Sequence, residues 1–277
     1  MEGGAESFAA GMRDGGLSFR FSTHGGLDHI ANLVQRDGLE NYEAPFPGIF
    51  VALCREQSGT VLDVGANTGL FTLLAAVANP AAQVCAFEPL PSVRTLLHAN
   101  IALNPALATR ISVQPFGLSQ TSGTFTFYET INEYGLVPTS SSLELTHVEE
   151  IGNFREQQIE TRTLDEWSRR LGLAKVHFMK VDVEGHEHAV IAGGRVFLAE
   201  HRPYLTLEVL GSADTGTLNS LLRESEYLDF AMAPTGLRNC ETVRHHSDAW
   251  NHLLCPAERA GRLLQICRRL GLPVTLG

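Results

Sequence analysis

The sequence predicts an α/β fold built on a mostly parallel sheet. Short apolar runs of strand length, such as TVLDV (60–64) and VCAFEP (84–89), alternate with longer segments of helical pattern. The strand runs are rich in Val, Ile and Phe, as expected for parallel strands that helices cover on both faces. A glycine-rich turn follows the first of these strands. Ligands of α/β folds bind at such turns, so we expect the functional site there.

The elements follow one another in a regular order. Before the core, we expect a loose glycine-rich start at 1–16, a strand at 17–22 and helices at 27–36 and 49–56. In the core, we predict strands at 60–64, 84–89, 111–116, 176–185 and 203–210, and helices at 70–78, 92–102 and 186–194. This order divides the chain into an N-terminal cap or extension (1–58), an α/β core (59–256) and a C-terminal amphipathic helix (257–277).

Residues 119–165 interrupt the alternation of strand and helix. TFTFY (124–128) and QQIETRT (157–163) alternate with period two, so we predict an antiparallel insertion in the core. The Ser-rich loop around 139–142 is expected to be mobile. Thr163 and Glu166 have the spacing of a capping box, which predicts the start of the next helix.

The C-terminal helix has one apolar face, which we expect to pack on the core. A role as a dimer or lid helix is the alternative, so a homodimer stays open. The residues expected on this face are Ala260, Leu263, Leu264, Cys267 and Leu270.

The composition limits the partners and the compartment. A formal charge of -10 gives no basic footprint for nucleic acid, which favours a small-molecule or protein acceptor. The five cysteines are scattered without a CxxC pair, so we expect a reducing compartment and neither a zinc site nor a disulfide framework. The start of the chain does not resemble a signal peptide, and no run approaches the roughly 20 apolar residues of a membrane span. We therefore expect a cytoplasmic protein that does not bind membranes.

The turn from Asp63 to Gly69 argues against a dinucleotide cofactor. Such a site uses Gly-x-Gly-x-x-Gly, and here Asn67 and Leu70 stand at the second and third glycine positions. Asp63 ends the strand with an acid, which suits a ligand that carries an ammonium and a sulfonium group. Glu88 ends the next strand, where an acid holds ribose hydroxyls in Rossmann-type sites. Incidental acids at the ends of strands are the alternative interpretation.

With these residues in hand, the chain resembles the FkbM family of methyltransferases from about residue 59 to residue 254. The resemblance implies a Rossmann-like class I methyltransferase fold, with a seven-stranded sheet that has one reversed edge strand. It implies S-adenosylmethionine as the cofactor and O-methylation of a hydroxyl on a small natural product or a sugar unit. N- or C-methylation, or a cofactor-binding homologue without catalysis, are the alternatives. The motifs that carry it are VLDVGANTG (61–69), FEP (87–89), TRTLDEW (161–167), MKVDVEGHE (179–187) and LTLEVL (205–210).

The resemblance also implies which residues bind the cofactor. The 63–69 turn would surround its methionine part, Glu88 would hold the ribose, and the turn at 116–119 would border the adenine. The expected cofactor-binding residues are Asp63, Gly65, Ala66, Asn67, Gly69, Glu88, Pro89, Gly117, Leu118 and Asp182.

Candidate catalytic residues lie at the end of the fourth strand. Lys180, Asp182 and Glu184 alternate along one side of it, and we expect Lys180 to form a buried ion pair with a carboxylate. By analogy with the fold, Asp182 lies near the reactive methyl group. His186 is the natural general base by its intrinsic pKa, although a solvated histidine at a helix start is the alternative.

Three further hypotheses concern the surroundings of this strand. Asp182, Glu184 and Glu208 are hard oxygen ligands that would suit Mg²⁺, which would acidify an acceptor hydroxyl. Tyr42 and Glu43 are expected to fold over the site. The histidines at 245, 246 and 252 lack the spacing of metal ligands on a helix, so we expect them in a loop or a pocket wall.

Overall fold

A nine-stranded mixed sheet organises the chain, which a computed structural model describes at residues 7–12, 16–132, 134–173, 175–223 and 225–276. The strands are β1 (Ser7–Gly11), β2 (Ser18–Ser22), β3 (Thr60–Val64), β4 (Gln83–Phe87), β5 (Ile111–Gln114), β6 (Gly117–Leu118), β7 (Gly123–Thr130), β8 (Phe154–Arg162), β9 (Val176–Val181), β10 (Tyr204–Glu208), β11 (Tyr227–Ala233), β12 (Gly236–Cys240), β13 (Asn251–Pro256) and β14 (Val274–Leu276).

Helices cover both faces of this sheet. They are α1 (His29–Asp37), α2 (Phe46–Cys54), α3 (Leu70–Ala78), α4 (Pro91–Ala102), α5 (Pro105–Ala108), α6 (Leu145–Ile151), α7 (Leu164–Leu171), α8 (Glu187–Ala192), α9 (Arg195–His201), α10 (Thr215–Leu222) and α11 (Ala260–Arg269), and a short 3₁₀ turn at Ala257–Arg259 precedes the last. The predicted cap of α7 is confirmed, because the Thr163 hydroxyl accepts a hydrogen bond from the Glu166 amide at 3.1 Å.

The strand order confirms the α/β, Rossmann-like class. Across the sheet it is β5-β4-β3-β9-β10-β13-β11-β12-β14, and β5, β4, β3, β9 and β10 are parallel. The reversed strand β13 lies inside the sheet, between β10 and β11, and not at its edge. The sheet has two strands more than the expected seven. The two additional strands, β12 and β14, lie beyond β11 at one edge of the sheet, and both are also reversed relative to β10.

The insertion forms a small separate sheet. Strands β7 and β8 pair antiparallel as predicted, and β6 joins β8. The expectation of a mobile loop around 139–142 is wrong at Ser142, which is fully buried. Its backbone exchanges two hydrogen bonds with Tyr128, and its hydroxyl donates to the Glu184 carbonyl at 2.8 Å. These bonds hold the insertion against the loop that follows β9.

The N-terminal part of the chain shares the main hydrophobic core. Phe46 stacks on Phe71 of α3 with ring centroids 4.7 Å apart, and Phe50 meets Phe178 of β9 at 4.9 Å. The expectation of a loose start is wrong for residues 7–11, because β1 pairs along its whole length with β2. The rest of that expectation, at residues 1–6 and 13–15, lies outside the described residues.

Helix α11 packs on the core, against α2 and β13. Leu263 and Cys267 are buried as predicted, together with Ile266. The predicted face is wrong at Leu264, which is 36% exposed, and at Leu270, which is 41% exposed. One residue turns a helix by about 100°, so Leu264 leaves the line that joins its buried neighbours, and Leu270 already follows the last helical residue. Among the described residues, no helix is both long enough and apolar enough to cross a bilayer.

Candidate active site

A cavity opens at the carboxyl ends of β3, β4, β9 and β10. Parallel strands place their carboxyl ends at one edge of the sheet, which is where α/β folds bind ligands. Residues after these four strands form one part of the wall, including Gly65, Glu88, Asp182 and Glu208. The N-terminal segment and the 138–143 part of the insertion close the opposite side.

Gly65 lets the turn after β3 lie flat against the end of β9. Its φ of +80° belongs to the left-handed region. A Cβ atom built there would lie 1.7 Å from the backbone oxygen of Asp182. The amides of Gly65 and Ala66 both donate to the carbonyl of Phe87, at 3.2 and 3.0 Å. The turn is therefore fixed to both neighbouring strands while its outer side faces the cavity.

Glu88 joins the turn after β3 to the turn after β4. Its carboxylate accepts hydrogen bonds from the amides of Asn67 at 3.0 Å and Leu90 at 2.9 Å. Burial raises the pKa of Glu88 to about 7, although both amide bonds favour the charged form. Each carboxylate oxygen can accept a second hydrogen bond, so Glu88, which lines the cavity, retains the capacity to bind a ligand hydroxyl.

Asn67 connects the turn after β3 to the insertion. Its side-chain amide donates to the carbonyl of Pro138 at 3.0 Å, and its own amide donates to Glu88. Pro89, Gly117 and Leu118 line the cavity, as do Gly65 and Asn67. The structure therefore brings these predicted cofactor-binding residues together around one space.

Three predicted cofactor-binding residues lie elsewhere. Among the described residues, Asp63, Ala66 and Gly69 are not part of the cavity wall. Asp63 is fully buried under the turn, where it accepts a hydrogen bond from the Thr72 hydroxyl at 2.5 Å. Gly69 has a φ of +97° and begins α3. For these three residues, contact with the cofactor stays a prediction.

Lys180 confirms the predicted ion pair. Its ammonium nitrogen lies 2.9 Å from an Asp182 oxygen and 3.8 Å from an Asp63 oxygen. Burial opposes its charge, yet the two carboxylates outweigh that effect and raise the pKa of Lys180. The pair couples the turn after β3 to the end of β9 beneath the cavity.

A cluster of carboxylates forms one end of the cavity. One oxygen each of Asp182, Glu184 and Glu208 lies within 4.8 Å of the others. Burial, together with the other carboxylates, raises the pKa of Glu208 well above its usual value. Its Oε2 atom has no hydrogen-bond partner among the described residues. The cluster therefore favours a positively charged group or a proton at this end.

Within this cluster, Glu184 is in contact with a histidine, His147 of α6. The His147 Nε2 atom lies 3.4 Å from Glu184 Oε2, and the His147 Nδ1 atom is 2.9 Å from the Ser212 hydroxyl. The pKa of Glu184 is raised to about 7: burial and the charge of Asp182 raise it, whereas the contact with His147 lowers it. A carboxylate whose pKa lies near neutrality is suited to accept and release a proton.

His186 is neither a free base nor a solvated histidine. Its Nδ1 atom lies 2.6 Å from Glu144 Oε1, and its Nε2 atom lies 3.0 Å from the Ser119 hydroxyl. If Nδ1 donates to the carboxylate, Nε2 accepts from the serine and its lone pair is already used. His186 touches the cavity but is only 9% exposed. The geometry therefore supports a role in joining the insertion to the core and not the predicted base.

The N-terminal pair Tyr42 and Glu43 lines the cavity beside the carboxylate cluster, as expected. Asn251 at the start of β13 donates to Glu43 at 3.1 Å and fixes its position. Burial raises the pKa of Glu43, and the charge of Asp182 adds to that effect.

Sequence reasoning missed the contribution of Glu144 and His147. Both lie in or next to α6 of the insertion, and no motif spacing links them to the β9 loop that they contact. The histidines at 245, 246 and 252 are not in the cavity wall that the described residues form. His252 is fully buried, with its Nδ1 atom 2.8 Å from Asp229, so the expectation of a loop or pocket wall is wrong for this residue.

Comparisons with known proteins agree with this geometry. A family model described as the methyltransferase FkbM domain matches residues 63–232, more than half of the chain. The chain is 30% identical over 224 residues to the AMB antimetabolite synthetase AmbE of Pseudomonas aeruginosa, covering 66% of this chain and 10% of that protein. It is 32% identical over 154 residues to the methyltransferase sdnD of Sordaria araneosa, covering 48% of this chain and 59% of sdnD.

A further relative is named as a 2-O-methyltransferase. The chain is 28% identical over 162 residues to the 2-O-methyltransferase NoeI of Sinorhizobium fredii, covering 55% of this chain and 64% of NoeI. The chain thus spans a tenth of AmbE and about three fifths of the other two relatives.

Proposed function

Because the chain belongs to the FkbM family of methyltransferases, we propose that it methylates a hydroxyl group on a small natural product or a sugar unit. The family implies S-adenosylmethionine as the methyl donor. The observation that carries the proposal is the cavity that joins Glu88 at one end to the Asp182, Glu184 and Glu208 cluster at the other. The name of NoeI, a 2-O-methyltransferase, supports oxygen as the acceptor atom.

The residues of the cavity fit this donor. Gly65 and Asn67 provide a turn without bulky side chains, and Glu88 offers carboxylate oxygens to the ribose hydroxyls. The carboxylate cluster provides the negative charge that a sulfonium and an ammonium group require. We expect the donor to extend from Gly117 and Leu118 to this cluster.

The chemistry divides between placement and removal of a proton. When bound, the donor supplies a methyl group on a sulfonium, and the acceptor oxygen bonds to this carbon as the carbon–sulfur bond breaks. Alignment of the two reactants supplies roughly 7–11 kcal/mol of the barrier reduction. Glu184 lies in the cavity wall and accepts the proton of the acceptor hydroxyl, while His147 holds its carboxylate.

Mg²⁺ is the alternative occupant of the carboxylate cluster. The three oxygens of Asp182, Glu184 and Glu208 are close enough to share one ion, which would acidify a bound hydroxyl directly. The ion pair between Lys180 and Asp182 competes with this arrangement, since it already neutralises one of the three. Glu184 as the base therefore accounts for removal of the proton without a bound metal ion.

Calorimetric titration tests the proposal. S-adenosylmethionine and S-adenosylhomocysteine are expected to bind at micromolar concentration, and NAD⁺ is not, because the turn has one glycine where a dinucleotide site has three. A parallel titration with Mg²⁺ decides between the two arrangements of the cluster. Binding of NAD⁺ alone would overturn the proposed cofactor. If the protein binds S-adenosylmethionine but methylates no hydroxyl, amine or carbon acceptor, this result would favour a cofactor-binding homologue without catalysis.

Replacement of Glu88 by alanine is expected to weaken S-adenosylhomocysteine binding. The loss of two charge-assisted hydrogen bonds costs about 2–4 kcal/mol, or roughly 30-fold to 10³-fold in Kd. The calorimetric titration described above measures this change in Kd. The matched control is Glu160→Ala on β8, whose side chain is 70% exposed and lies outside the described cavity wall. Equal affinity in the two variants would remove Glu88 from the site.

A further inference from the structure

A second cavity, the Trp250 groove, adjoins the proposed active site. It is bordered by Asp37, Asn41, Asp248, Trp250 and Asn251. It shares a wall with the first cavity, since Leu33, Tyr42 and Glu43 line both. These shared residues place the groove directly beside the first cavity.

The shared wall is held in place from the groove side. Asn251 lines the groove and donates a hydrogen bond to Glu43, whose pKa also responds to Asp182 in the first cavity. The carbonyl of Trp250 accepts a hydrogen bond from the Val209 amide at 2.7 Å. Val209 directly follows Glu208, which ends β10 and belongs to the carboxylate cluster. The groove is thus built on the same strand ends as the carboxylate cluster.

Trp250 is the unusual feature of this groove. Its side chain is 42% exposed, whereas the other tryptophan, Trp167, is 3% exposed and packs on Phe87. An indole face carries partial negative charge and attracts the partly positive C–H groups on the face of a sugar ring. Because Trp250 borders the groove, its exposed indole can offer this face to a ring bound there.

The polar residues of the groove define which sugar fits. Asp37, Glu43 and Asp248 offer carboxylate oxygens that accept hydrogen bonds from hydroxyl groups. The guanidinium of Arg36 pairs with Asp37 and that of Arg238 pairs with Asp248, each at 2.6 Å, so both are already engaged and do not offer a site to a phosphate or carboxylate group. A neutral ring that carries hydroxyls satisfies both the aromatic face and these acceptors.

We propose that the Trp250 groove binds a neutral saccharide ring next to the methylated unit, so that the acceptor spans at least two units. This inference rests on the proposed function for its active-site half, but the groove itself is tested without turnover. Stacking on Trp250 fixes the outer ring, and the Tyr42–Glu43 wall directs the inner unit towards Glu184. The acceptor is then a glycoside or an oligosaccharide and not a free monosaccharide.

The experiment uses an array of neutral mono-, di- and trisaccharides, probed with the full chain in the presence of S-adenosylhomocysteine. We expect signals on members with two or more rings, at least tenfold weaker in Trp250→Ala and partly restored in Trp250→Phe. The control is Tyr134→Ala, since Tyr134 is 79% exposed and lies outside the cavity walls of the described residues. Array hits are checked in solution by the quenching of Trp250 fluorescence, because Trp167 is buried.

Three results would overturn the inference: no array member bound, monosaccharides bound as well as longer members, or Trp250→Ala bound like the wild type. Calorimetry with S-adenosylhomocysteine on the same protein preparations separates this outcome from failure of the proposed function. Retained cofactor binding without saccharide binding rejects the groove alone. Saccharide binding that depends on Trp250 without cofactor binding supports the groove and rejects the proposed methyl donor.

Discussion

Replacement of Glu184 by glutamine is expected to lower turnover by about 10²–10⁴-fold, the range that a positioned general base contributes. Glutamine keeps the size of the side chain and its contact with His147 but cannot accept the proton of a hydroxyl. Affinity for S-adenosylhomocysteine should fall far less than turnover, because Asp182 and Glu208 still line the end of the cavity where the ammonium group is expected. Single-turnover kinetics and calorimetry measure the two quantities separately.

The matched control for this substitution is Glu150→Gln on α6, an exposed glutamate outside the cavity wall of the described residues. Equal loss of turnover and cofactor affinity in Glu184→Gln would assign the residue to folding or to cofactor binding. Full turnover in the variant, with activity that disappears on removal of Mg²⁺, would instead favour the metal arrangement of the carboxylate cluster.

The pH dependence gives an independent signature of the same residue. A base must be unprotonated to act, so activity should fall as the pH drops through the raised pKa of Glu184, at about 7. The contact with His147 lowers that pKa, so the acidic limb of the rate profile should move to higher pH in His147→Ala. A limb near the ordinary glutamate pKa of about 4.3 would contradict the assignment.

The cofactor half of the site could be predicted because its residues are consecutive. The turn after β3 and the residue after β4 each follow a strand that the pattern of apolar residues already locates. Asp63 shows the limit of this reasoning. It belongs to the same motif as Gly65 and Asn67, but it is the last but one residue of β3 and turns under the sheet edge towards Thr72. Sequence order could not distinguish a residue of the wall from a residue that supports it.

The acceptor half could not be predicted in the same way. Tyr42, His147 and Trp250 come from three distant parts of the chain, and only the folded sheet brings them to the same edge. His186 illustrates the converse error. Its intrinsic pKa suggested a base, but the partners that use both ring nitrogens, Glu144 and Ser119, lie 42 and 67 residues away. Long-range partners of this kind decide the chemistry of a side chain and leave no local pattern.

The additional strands of the sheet could not be predicted for a related reason. Strand β12, which forms a hairpin with β11, and the last strand β14 follow the region where strand and helix alternate, and β14 contains three residues. Such a short strand gives too few residues for a period-two pattern to be recognised. The strands that carry the site, β3, β4, β9 and β10, were all predicted, since each is a buried apolar run.

The largest structural effect is expected for Gly65→Ala. The new methyl group would lie 1.7 Å from the Asp182 backbone oxygen, and alanine would also have to adopt a φ of +80°. Neither the turn nor the end of β9 can move freely, because the Lys180 ion pairs and the bonds to Phe87 hold both. We expect a loss of about 3 kcal/mol or more in the free energy of unfolding, equivalent to roughly 6–12 °C in Tm.

Thermal unfolding followed by circular dichroism measures this loss, and calorimetry tests whether the remaining folded protein binds S-adenosylhomocysteine. Gly261→Ala is the matched control, because Gly261 lies inside α11 and a Cβ atom there meets no other atom within 4 Å. That substitution should stabilise the helix by about 0.5–1 kcal/mol. A Gly65→Ala protein with unchanged Tm and unchanged affinity would mean that the turn does not rest on Asp182. The link between the cofactor turn and the carboxylate cluster would then have to run through Lys180 alone.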